Sequence, residues 1–135
     1  MSTAKQNLGI VSTYTVASGQ SATKGYLAIL SGADNEVDDA TSPCDLGIGV
    51  FLATAVAGAR VEVAHTGVIP VKVGTGGATR GKKGMWSSGD NGFADAPAHD
   101  ADGNTNDAIY GVFLQSGSAG DMVGMLFTPS NRGSV

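Results

Sequence analysis

Two stretches and three scattered residues carry the side chains from which a reactive or binding site could be assembled. Gly76 to Lys83, GGATRGKK, fits most of the GxxxxGK phosphate-binding pattern, in which backbone N–H groups and a lysine cradle a nucleotide. Lys83, however, stands where a Ser or Thr would hold magnesium, and the following GMWSSGDNG cannot open the helix that such a loop needs. In DADGNTN, Asp100, Asp102, Asn104 and Asn106 alternate like the oxygen ligands of a calcium loop. The glycine there is Gly103 rather than the sixth loop residue, and no glutamate takes the twelfth, so a solvated acidic turn is the plainer reading. His65 and His99 are the histidines and Cys44 the single cysteine, with no nucleophile motif beside any of them. No acid, base, nucleophile and oxyanion donor converge, so the sequence predicts neither an enzyme nor a bound cofactor.

The elements around these residues are written twice. Gly49 to Thr66, GVFLATAVAGARVEVAHT, and Gly111 to Thr128, GVFLQSGSAGDMVGMLFT, share eight of eighteen positions at an offset of 62. Each reads as a β-hairpin: a GVFL strand, a small-residue stretch, an Ala-Gly turn (Ala57-Gly58, Ala119-Gly120) and a second apolar strand ending in Thr. Upstream, Ala22 to Ala40 matches Ala78 to Ala96 at an offset of 56, again with eight identities. The change of offset places six extra residues in the second copy, in or near the polar run His99 to Asp107. The repeat also explains the chemical motifs. The counterpart of GGATRGKK is GQSATKGYL, a turn entering a strand, and the counterpart of His65 is Phe127, an apolar packing position.

Units of about sixty residues bury little surface alone, so the two copies are expected to share a core within one domain. The single domain is read as residues 10–128, with repeats at about 10–66 and 67–128, an N-terminal arm at 1–9 and a C-terminal tail at 129–135. The ends MSTAKQN and PSNRGSV have no apolar anchors and are expected to be flexible. Helix periodicity is absent, whereas short alternating or β-branched runs punctuated by glycine predict an all-β fold, a compact sandwich or barrel. Strands are predicted near Leu8–Val16, Gly25–Leu30, Ile48–Thr54, Arg60–His65, Val68–Val73, Gly84–Ser87, Ile109–Leu114 and Met122–Phe127. Pro70 inside one of them marks a sheet edge or a bulge.

A net charge of −4 argues against a phosphate-neutralising face, so nucleic acid is not an expected partner. No run of eighteen apolar residues and no N-terminal apolar signal segment occurs, so neither membrane insertion nor export is expected. Charged residues are only 15% while glycine numbers 21, a surface better suited to packing against other protein.

The order SGQSATKGYLAIL, GIGVFLATAVAGARVEVAHTGVIPVKVGTGGATRGKKGMW and IYGVFLQSGSAGDMVGMLF resembles a family of tailed-bacteriophage capsid decoration, or cement, proteins. The matching pieces are Ala22–Leu30, Gly47–Leu52, Ala57–Val63, Gly67–Val73 and Gly120–Phe127, and the resemblance spans about residues 10 to 128. It implies a structural protein made in the bacterial cytoplasm. Such a protein attaches to the major capsid protein on the outer surface of the expanded head, as a homotrimer, and stabilises the shell against packaged DNA.

For contacts with the capsid, the arm Ser2, Thr3, Ala4, Lys5, Gln6 and Asn7 is the first candidate, lying along the shell and adding hydrogen bonds to an exposed strand edge. Trp86 is the second: it aligns with Leu30 between Lys82-Lys83 and a polar turn, and would anchor an interface if exposed, the competing reading being a core tryptophan. Two alternatives to decoration stay open, a tail or baseplate component and a glycan-binding adhesive module.

Overall fold

The computed structural model describes residues 4–41, 47–87, 92–96 and 109–128. They form thirteen strands and, among the described residues, no helix. In chain order these are β1 (Asn7–Leu8), β2 (Val11–Val16), β3 (Ser21–Ala22), β4 (Leu27–Leu30), β5 (Glu36–Asp39), β6 (Gly49–Phe51) and β7 (Ala55–Val56). They continue with β8 (Arg60–Ala64), β9 (Gly67–Lys72), β10 (Lys83–Ser87), β11 (Gly92–Asp95), β12 (Ile109–Phe113) and β13 (Met122–Phe127).

The first copy of the repeat closes on itself as a five-stranded barrel, β2-β5-β4-β6-β8, which we call lobe 1. The second copy forms lobe 2, a sheet in the order β1-β9-β13-β12-β10-β11. The two lobes share one topology down to the register. Val50 faces Ala64 and Phe51 faces Val63 in the first hairpin; Val112 faces Leu126 and Phe113 faces Met125 in the second. Ala28 faces Asp39 as Gly84 faces Asp95. The parallel closure of the barrel, Val16 opposite Val37, reappears as a lone bridge between Val73 and Phe93. Lobe 2 is thus an open, half-barrel counterpart of lobe 1, its seam marked by one bridge where lobe 1 has a strand pair.

Alternation sets the inward face. In β8, Val61 and Val63 are buried while Arg60 and Glu62 are exposed, the period-two pattern of a half-buried strand. With Val16, Ala22, Ala28, Val37 and Phe51 they fill lobe 1. Their repeat partners Val73, Ala78, Phe93, Phe113, Val123 and Met125 belong to the second cluster, joined there by Ile69, Trp86, Tyr110 and Phe127. That second cluster also takes in Leu27, Val50 and Ala64 from the outward face of lobe 1. The second cluster therefore spans both copies, because the side of lobe 2 is covered by the outside of lobe 1, while lobe 1 keeps an inner cluster of its own.

Four strands lie outside the predicted runs: β3, β5, β7 and β11. Each is short, and β5 (EVDD) and β11 (GFAD) hold few apolar residues, with Val37 and Phe93 buried. A single large apolar residue makes no period, so only pairing reveals them. The run Leu8–Val16 breaks at Gly9-Ile10, since the chain leaves lobe 2 after β1 and enters the barrel at β2. Pro70 lies beyond the β1 pairing: β1 meets β9 only at Gly67 and Val68, so among the described residues no strand pairs with the buried Pro70 on that side and its missing N–H breaks no ladder there.

Candidate functional site

The N-terminal arm holds the first of the candidates for capsid contact, and residues 4–8 are seated on lobe 2. Asn7 and Leu8 pair antiparallel with Val68 and Gly67, so the arm adds a strand to an edge of its own sheet. Ahead of that pair, the Lys5 N–H donates to Gln115 Oε1 at 2.8 Å, and the Gly124 N–H donates to the same oxygen at 2.8 Å. Gly124 has to be glycine here: a Cβ would stand 2.8 Å from both Cβ and O of Lys5. The expectation of a free arm is therefore corrected for Ala4 to Asn7. Backbone pairing and the Gln115 bridge hold it, and neither is foreshadowed locally because both partners lie far along the chain. Ser2 and Thr3 lie outside the described residues, as does the tail 129–135.

Lys5 and the exposed Arg80 border an open groove floored by Leu114, Gln115 and Met122, with Asp121 at its rim. Beside it runs a cross-strand row on the outward face of lobe 2, Asn7–Val68–Leu126–Val112–Lys83, which follows directly from strand register. Leu126 is 42% exposed, and Val68 and Val112 are partly exposed. Sequence reasoning missed this apolar row with basic neighbours, although alignment of the two hairpins would have shown Leu126 opposite Val112.

Trp86 offers no exposed anchor. It is 1% exposed, with edge-to-face contacts to Tyr26 of lobe 1 (5.1 Å) and Phe93 of lobe 2 (5.2 Å). Its aligned partner Leu30 is the exposed one, at 62%. The reading of Trp86 as an interface residue is thereby corrected to a core tryptophan, because lobe 1 covers the side of lobe 2 on which its ring sits.

The polar clusters are built to hold turns. The Thr23 N–H and hydroxyl donate to the two oxygens of Asp39, both at 2.8 Å, and the pair recurs as Thr79 with Asp95 at 2.8 and 2.6 Å. The motif GGATRGKK is thus a turn clipped to β11, and Lys83 begins a strand, not a helix. His65 is part-buried: its Nδ1 is 2.7 Å from the Ile48 carbonyl and its Nε2 3.1 Å from the Tyr14 hydroxyl. With Nδ1 protonated and donating, Nε2 accepts from the phenol, so a neutral ring satisfies both nitrogens. Among the described residues no group of three or more His, Cys, Asp or Glu could hold a metal ion. Cys44, His99 and the calcium candidates Asp100, Asp102, Asn104 and Asn106 lie outside them.

Burial raises the Asp39 carboxyl above its ordinary value of 3.8, opposed by the hydrogen bonds from Thr23 and Ser21 and reinforced slightly by Asp38. The Tyr26 phenol is raised too, by burial first and by the charge of Asp39 second. A carboxyl raised on folding binds its proton more tightly in the native state. Its contribution is full below the unfolded value and is lost as pH rises through the folded one. Asp39→Asn, close to isosteric, should therefore flatten the fall of stability with rising pH just above pH 3.8, measured by urea unfolding across a pH series. An unchanged slope would refute the assignment.

No protein-family model matches the chain, and no curated protein is found as a relative. Among solved structures, the fold is similar to that in "The crystal structure of head fiber gp8.5 N base in bacteriophage phi29", with a TM-score of 0.66. The two are 13% identical, over 88% of this chain and 95% of that one. The likeness takes in both lobes and is one of fold.

Proposed function

We propose that the chain is a structural protein of a bacteriophage virion that attaches to the outside of the head as a homotrimer and strengthens the shell. The observation that carries this reading is the fold shared with a phage head-fiber base over nearly the full length of both chains. It joins the resemblance to capsid decoration proteins, which rests on residue order alone. The architecture suits the role, since a charge-poor double lobe with a broad apolar-and-basic face is equipped for binding protein.

The mechanism needs no chemistry. A protein that binds the expanded lattice and not its precursor stabilises that lattice by mass action, and three copies in one ring multiply modest contacts by avidity. The partner is the major capsid protein. Contact through the arm is limited by what β1 already does: Asn7 and Leu8 are engaged with β9, so among the described arm residues the exposed Lys5 and Gln6 are the ones left for the shell.

The test is to add purified protein to heads of the source phage that lack it, then measure copy number against the major capsid protein and the temperature at which DNA is released. Saturable binding at a simple fraction of the capsid copies, with release shifted upward, is the expected result. A handful of copies per particle would assign the chain to the tail, and no binding would overturn the virion reading.

A further inference from the structure

We propose that the outward face of lobe 2 is covered by the acidic end of lobe 1 from a second copy of this chain, in a head-to-tail contact. This specifies the self-association within the proposed function but stands without the capsid.

The duplication carries the argument. In lobe 1 the row Val11–Ala64–Val50–Leu27 occupies the outward face, and Leu27, Val50 and Ala64 are each 0% exposed because lobe 2 packs against them. The matching row of lobe 2 is Val68–Leu126–Val112–Lys83, still apolar at three of four places, and no third lobe stands among the described residues to cover it. A single chain thus shows what this face does when a β lobe is at hand. A second molecule supplies the next lobe.

Charge selects which surface of that molecule docks. At the place of Leu27, lobe 2 has the exposed Lys83, and Lys5 and Arg80 are exposed nearby, with Asp121 as the acidic neighbour. At the β4–β5 turn of lobe 1 the opposite arrangement occurs. Leu30 is 62% exposed, the Ser31 N–H donates to the Glu36 carbonyl at 3.0 Å to close the turn, and Asp34, Glu36 and Asp38 lie in and after it. An apolar knob beside acids meets an apolar row flanked by bases, which gives complementarity and a fixed register. The two surfaces differ, so the contact is heterologous: each copy still has one free face, and a closed ring uses them all.

Because both surfaces are exposed, each can be blocked without touching the core. Leu126→Asp removes the receiving row and Leu30→Asp removes the knob. In sedimentation equilibrium the wild-type chain should self-associate and each variant alone should be monomeric. An equimolar mixture of the two should form a heterodimer, since each retains the face the other lacks. Asp34→Lys and Lys83→Glu provide a milder pair, each weakening assembly at least about tenfold and their mixture partly restoring it. A monomeric wild type, variants that assemble like wild type, or a mixture that stays monomeric would overturn the inference. Each of those outcomes leaves head binding by the monomer to be scored separately in the particle assay.

Discussion

Replacing Trp86 with alanine should lower stability by about 3–5 kcal/mol, the range for emptying a large aromatic site in a packed core. For a chain of this length that corresponds to a fall in melting temperature of roughly 10–20 °C. The effect is large because the indole touches both lobes, Tyr26 on one side and Phe93 on the other, so its loss loosens the contact between the copies as well as lobe 2 itself. Trp86→Phe should cost less than the alanine change, because a ring is kept in the site and the cavity left behind is smaller. It also removes a liability, for the buried indole N–H has no hydrogen-bond partner among the described residues. As the only tryptophan, Trp86 reports on its own surroundings: emission should be blue-shifted in the native chain and move to the red on unfolding. An alanine variant as stable as wild type would show that the ring does not tie the lobes together.

The second large effect is expected at Gly111. A Cβ there would run into the carbonyl oxygen of Leu126 on the paired strand β13, and the counterpart Gly49 is crowded in the same way by the carbonyl of Ala64. The obstacle is backbone, so neither a rotamer change nor a flexible side chain can relieve it. The strands of the hairpin must separate instead, at a cost of about 3 kcal/mol or more for Gly111→Ala. Gly120 makes the contrast. Its φ of +89° lies at the hairpin turn and nothing stands within 4 Å of an added Cβ, so Gly120→Ala bears only the left-handed backbone penalty of roughly 1–2 kcal/mol. Urea unfolding of the two variants beside the wild type checks the order. Equal losses at Gly111 and Gly120 would mean that the close approach of β12 and β13 is not what demands glycine at Gly111.

These two glycine positions also mark how far the sequence could be read. Each is identical to its counterpart in the other copy, and that identity at a constant offset is what makes the GVFL hairpin visible. The strand β8 is legible because Val61 and Val63 alternate with charged residues, and the turn at Ala57-Gly58 because it repeats at Ala119-Gly120. The strands β5 and β11 are not, since one large inward residue apiece carries no periodicity. The anchoring of the arm is equally hidden: Lys5 meets Gln115 across 110 residues, and local chemistry holds no trace of such a partner.

Local order and period alone fix the all-β class, the duplicated unit, the hairpin with its turn, and the lack of a proper phosphate loop at Gly76 to Lys83. Which faces are covered is a matter of packing between the copies, and no local pattern encodes it. Leu30 and Trp86 occupy the same place in the repeat, as do Leu27 and Lys83, yet their burial is opposite. The reason is that two copies of one pattern cannot both be on the inside: lobe 1 packs its outer row against lobe 2, and lobe 2 is left with its own outer row, Val68, Leu126 and Val112, facing out.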